Sequence, residues 1–78
     1  MTPSAEEIAA VLSDLAFERG RGKSFCPSEA AKRLAVDWRP LMARVREAAA
    51  AHPHVVATRK GLVVDPLSAK GPIRLTLR

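Results

Sequence analysis

The chain has 78 residues, of which 47% are hydrophobic, with one cysteine and a formal net charge of +5. That is one domain, residues 1–78, too small to hold both a core and a deep substrate pocket and too apolar for a disordered tail. A single thiol cannot form an internal disulfide, no apolar run reaches membrane-spanning length, and the acidic N-terminal segment is no signal peptide, so the expectation is a complete cytoplasmic protein with no membrane partner.

Ser4-Ala-Glu-Glu7 is a capping box and starts the first helix. Ile8, Val11, Leu12, Leu15 and Ala16 recur at intervals of three and four, which buries one face, and Phe17 is expected to close the same cluster. Gly20 and Gly22 end this helix and open a basic loop, Arg19 to Lys23. Ser24-Phe25-Cys26 reads as a very short extended segment with Phe25 as a core anchor. Pro27 then suits a first helical position, where its missing N–H has no partner to lose. Glu29 stands where a capping box places its acid, although Cys26 is a poor cap. Ala30, Ala31 and Leu34 give this second helix its apolar side.

Asp37 is read as the cap of a third helix, residues 38–51, in which Pro40 is tolerable in the first turn. Trp38 is expected to wedge the turn against the core. Leu41, Met42, Val45, Ala48 and Ala49 repeat at helical spacing and face that core. Arg39, Ala43 and Arg46 fall on the opposite face, with Arg44 on its flank. A short helix, a tight turn and a second helix with a basic outer face make a helix-turn-helix.

Pro53 stops the third helix, and His54–Arg59 is rich in β-branched residues. Lys60-Gly61 supplies a turn, after which Leu62–Val64 either extends the strand or folds back on it. Asp65-Pro66 opens a polar loop that runs through Pro72. Residues 73–78 alternate strictly: Ile73, Leu75 and Leu77 toward the helices, Arg74, Thr76 and Arg78 toward solvent or a ligand. The order predicts an α+β winged helix-turn-helix, three helices with a two- or three-stranded antiparallel β-wing. The wing would carry Arg59, Lys60 and Lys70.

The blocks Gly22-Lys-Ser-Phe-Cys-Pro-Ser-Glu-Ala-Ala31, Asp37-Trp-Arg-Pro-Leu-Met42, Val64-Asp-Pro66 and Lys70-Gly-Pro-Ile-Arg-Leu75 resemble a small bacterial family, domain of unknown function 3253. The resemblance spans nearly the whole chain. It implies a winged-helix fold and carries no activity with it.

Charge is unevenly spread. Residues 1–18 contain four acids and no base, whereas residues 19–78 contain all 13 bases and the other four acids, a net +9. Such asymmetry suits a polyanion, and double-stranded DNA is the expected partner, with the third helix in the major groove. Arg39 and Arg46 would bond guanine or grip phosphate, the small Ala43 would let the helix approach closely, Arg44 would join the DNA-binding face from its flank, and Ser28 and Lys32 would reach the flanking phosphates. Arg59, Lys60 and Arg74 would grip phosphate from the wing. A small transcription regulator of this kind gains affinity as a two-fold dimer, although no separate dimerisation segment stands out. Two competing readings stay open: codon bias that scatters Arg over a solvated face, and a non-enzymatic module docking an acidic protein. Cys26, His52 and His54 are the only soft metal ligands and are scattered, so a buried thiol, two surface histidines, no metal and no cofactor are expected. No spacing suggests a catalytic site, and the chain reads as no enzyme.

Overall fold

The computed structural model describes residues 2–78. Among these, three α-helices and four strands follow one another as α1 (Ala5–Arg19), β1 (Ser24–Phe25), α2 (Pro27–Leu34), α3 (Met42–Ala51), β2 (Val55–Arg59), β3 (Leu62–Val64) and β4 (Arg74–Leu77). The strands form one antiparallel sheet in the order β1-β4-β2-β3. The protein is therefore an α+β fold with helices on one face of a sheet, an arrangement consistent with a winged helix. No helix of the described residues is long and apolar enough to cross a membrane.

The expected local signals act where the sequence places them. Ser4 Oγ accepts from the Glu7 N–H, and the Glu7 carboxylate accepts from the Ser4 N–H, closing both halves of the capping box on α1. At α2 only the acid half forms between backbone and side chain: the Cys26 N–H donates to Glu29 at 3.0 Å. The hydroxyl of Ser28 donates to Cys26 Sγ at 3.1 Å. The thiol is half-buried rather than enclosed.

The inner face of the sheet gives Phe25, Val55, Ala57, Ile73 and Leu75 to the core. The helices give Ile8, Leu12, Leu15, Ala16, Ala30, Ala31, Leu41, Val45 and Ala49. These residues form one cluster, with Val11, Leu34, Trp38, Met42, Ala48 and Leu77 packed on its margin. Val56 lies opposite Thr76 in the β2–β4 ladder, so the last strand is antiparallel to the first long one, as its alternation requires.

Five expectations are corrected. Phe17 does not enter the core; it is 61% exposed and its ring tilts against that of His54. Asp37 caps nothing: the third helix is entered through a 3-10 turn, Arg39–Leu41, with no side-chain cap bond. Pro40 fits this turn, and Met42 rather than Trp38 begins the α-helix. The sheet has four strands rather than two or three, because β1 joins its far side and Leu62–Val64 folds back on β2. His52 is not a surface histidine but is buried at the end of α3.

Candidate nucleic-acid interface

The corner between α2 and α3 is built around Trp38. Its indole packs on the margin of the core. The Lys32 ammonium lies 5.0 Å from the ring centroid and the Arg39 guanidinium 4.8 Å. Both cations are exposed, and the π face of the indole fixes where they sit, each contact being worth about 0.5–1 kcal/mol at an exposed site. Two positive charges from different elements are thus gathered at the entrance to the third helix. Ser28 stands on α2 as well, but its hydroxyl is engaged by the Cys26 sulfur.

The helical spacing within α3 sets which of its positions face out. Leu41, Val45 and Ala49 are buried, so the outermost positions of α3 are Ala43, Glu47 and Ala50, all exposed. Arg44 and Arg46 flank this stripe on opposite sides. Arg44 is half-buried and lines a shallow cleft with Ala5, Ile8 and Ala48, away from Trp38.

Arg46 is not a free member of an exposed basic stripe. Its guanidinium donates to the carbonyls of Ala69 at 2.9 Å, Gly71 at 2.8 Å and Pro66 at 3.3 Å. These bonds fasten the loop between β3 and β4 to the side of α3. Arg59 also turns inward: its guanidinium donates to the Lys70 carbonyl in the same loop. Gly71 has a φ of 80°, a conformation that L side chains rarely adopt, so glycine lets the loop turn here; a Cβ would make only an ordinary contact with that guanidinium, at 3.5 Å. Neither arginine reaches out as a wing would require. Lys60 does. It sits with a φ of 53° beside Gly61 at the exposed tip of the β2–β3 turn.

Arg74 is exposed at the start of β4 and ties it to β1, donating from Nε to Ser24 Oγ and from Nη2 to the Ser24 carbonyl, each at 3.0 Å. Bonds to neutral oxygens leave the charges of Arg46, Arg59 and Arg74 in place, so the three still add to the positive field. Two other arginines are neutralised. Arg19 pairs with Glu29 at 2.5 Å, and Arg33 grips Glu18 through two bonds of 2.8 and 3.0 Å. The Arg19 bond and the Cys26 N–H hold the Glu29 carboxyl below its ordinary range, and the Arg33 fork does the same for Glu18.

A second concavity, of about 440 Å³, lies between α1 and the end of α3 and is lined by Ala5, Ala9, Ala48, Ala51, Ser13 and His52 among others. Ser13 Oγ and His52 Nε2 are 2.7 Å apart there. The His54 N–H donates to His52 Nδ1 at 3.1 Å, which places the ring proton on Nε2. That proton is shared between Ser13 Oγ and the Ala9 carbonyl, 3.2 Å away. His52 therefore gives a hydrogen bond to the serine rather than taking its proton, and the pair joins two helices rather than activating a nucleophile. Among the described residues no three His, Cys, Asp or Glu side chains converge as a metal site.

The sequence announced Lys32, Arg39, Lys60 and Arg74 as bases on the outer surface, and there they lie. It gave no sign that Arg46 and Arg59 are occupied, because their partners are backbone carbonyls of a loop 11 to 25 residues further on. The one signal available was the polar, glycine-containing segment 65–72, whose carbonyls need donors if the loop is to lie flat on a helix.

No curated protein matches the chain. A family model described as "Protein of unknown function (DUF3253)" matches residues 5–78.

Proposed function

The chain belongs to the DUF3253 family, whose description assigns no activity; from the interface itself we propose that it is a winged-helix protein that binds double-stranded DNA through the phosphate backbone, in a bacterial cytoplasm. The observation that carries this reading is the stacking of Lys32 and Arg39 on Trp38 at the entrance to α3. A helix-turn-helix meets its groove and flanking phosphates at that end of its second helix. Ala43 and Ala50 are short enough to let the helix approach, and Lys60 extends from the hairpin tip as a further phosphate contact.

The outermost stripe of α3 holds no base-reading arginine. Discrimination between sequences is accordingly weak, and affinity is set by charge. The test is a titration of the full chain with mixed-sequence duplex at several salt concentrations. Affinity should fall linearly on logarithmic axes, and replacing Lys32, Arg39 or Lys60 by Ala should each flatten the slope by about 0.9. No binding at low salt removes the reading.

One observation favours a second reading, docking of an acidic protein. Glu47 stands at the centre of the α3 stripe, where it repels phosphate, while the basic positions lie around it. Binding to an acidic peptide but not to duplex would select this alternative.

A further inference from the structure

The helices cover one face of the sheet. α1 and α3 lie against it, and α2 lies against those two helices. The opposite face is made by Ser24 on β1, Arg74 and Thr76 on β4, Val56 and Thr58 on β2 and Val63 on β3, which the register sets side by side. None of them is buried. Arg78 extends this face. Its N–H donates to the His54 carbonyl at 2.9 Å, so the β2–β4 register runs on by one pair, and the pleat turns Arg78 to the side of Arg74 and Thr76.

The face is basic. The turn from Gly20 to Lys23 brings Arg21 and Lys23 to its β1 edge, both exposed. Thr76 Oγ1 fastens this turn to β4 by donating to the Lys23 carbonyl at 3.3 Å. The bonds from Arg74 to Ser24 use Nε and Nη2 and leave Nη1 for an anion. Two acids stand at the margins, and both are engaged. Glu29 accepts from Arg19 and the Cys26 N–H, and Asp65, just past β3, accepts from the Leu67 N–H.

The chemistry of the face selects among polyanions. Arg74 and Arg78 stand about 13 Å apart along the strand, close to the roughly 12 Å width of a duplex major groove, which lets their guanidinium groups meet phosphates of both strands. Ser24, Thr58 and Thr76 around them are short and polar, so a phosphodiester backbone can lie close. No Phe, Tyr or Trp is among them to stack a single-stranded base, and no long apolar side chain to enter a membrane.

We propose that the outer face of the sheet is a second phosphate-binding surface, so that one chain bridges two duplexes. One duplex meets the corner of Lys32 and Arg39 on the helix side, and the other lies across β4. This rests on the DNA reading and adds a second contact to it.

The test mixes an immobilised duplex with a fluorescent one of mixed sequence and measures the fluorescence that the full chain retains at low salt. Each protein is used at a sub-saturating concentration that gives the same occupancy of a single duplex. Wild type should retain the second duplex. A chain with Arg21→Ala, Lys23→Ala and Arg78→Ala should bind one duplex through the helix corner and lose the retention. All three positions are exposed, so it should fold. Should it not, Arg78→Glu alone decides, with reduced retention expected. Lys32→Ala with Arg39→Ala should also lose retention while binding one duplex through the sheet. Wild type that binds one duplex without retaining a second overturns this proposal alone, as does any of these variants that retains it like wild type. A chain that binds no duplex removes both readings.

Discussion

Arg46 illustrates how a residue of one apparent purpose serves another. Its five N–H donors face three carbonyls of a single loop, and no carboxylate is involved. Hydrogen bonds from a charged donor contribute about 1.5–3 kcal/mol, and the exposure of this site places the loss at the lower end. Arg46→Ala should therefore loosen residues 65–72 and cost about 1–2 kcal/mol. Amide exchange in that loop should rise well before exchange in β2, and unchanged loop protection would show that the bonds carry no weight. On the DNA reading proposed above, its effect on duplex affinity should be a uniform loss across sequences rather than a change of preference, because its donors are committed to the loop. His52 is a buried commitment of another kind. Ser13→Ala removes the shorter of its two Nε2 bonds and should lower stability by about 1 kcal/mol, read as a drop in the urea midpoint without a change in slope.

At the scale of elements, α1 and α2 are held together by two ion pairs on top of their apolar contact. Arg19–Glu29 and Arg33–Glu18 cross the same helix junction from opposite chain directions. Both glutamates have folded pKa values below the ordinary 4.5. The stability they contribute is thus fully present above that value and is lost as pH falls through the lowered folded values. The melting temperature should decline as pH is taken below about 4.5, and Glu29→Gln should make that decline shallower while lowering stability at neutral pH. The elements themselves were largely legible in the sequence. Capping boxes, helical spacing and the Ile73–Leu77 alternation all act over a few residues, so their signals are local. The misreadings came from distant partners. Phe17 continues the apolar pattern of α1 but finds His54 rather than the core. Trp38 anchors the turn as its bulk suggests, and Arg46, one residue beyond the buried Val45, lies on the flank of α3 while Glu47 faces outward. β3 forms because the Lys60-Gly61 turn folds back, a choice that residues 62–64 alone leave open.

For the molecule as a whole, one small core carries the stability. Leu75 is fully buried and Leu41 is 7% exposed, so Leu75→Ala should cost about 3–5 kcal/mol and Leu41→Ala somewhat less. Against a total of about 5–15 kcal/mol for a domain, either loss is severe, and chemical denaturation of the two variants measures it directly. The central position of β4 has a kinetic consequence. This strand lies between β1 and β2, and its Arg74 meets Ser24 across 50 residues of chain. Neighbouring elements such as α1 and α2 meet through short separations, whereas β1 meets β4 only when the long intervening chain closes. Folding should therefore pass through a transition state in which α1 and α2 already pack while β4 has not yet met β1. Stopped-flow measurements should give Leu12→Ala a high φ-value and Leu75→Ala, which lies opposite Phe25 in the β1–β4 pairing, a lower one, its effect appearing mainly as faster unfolding.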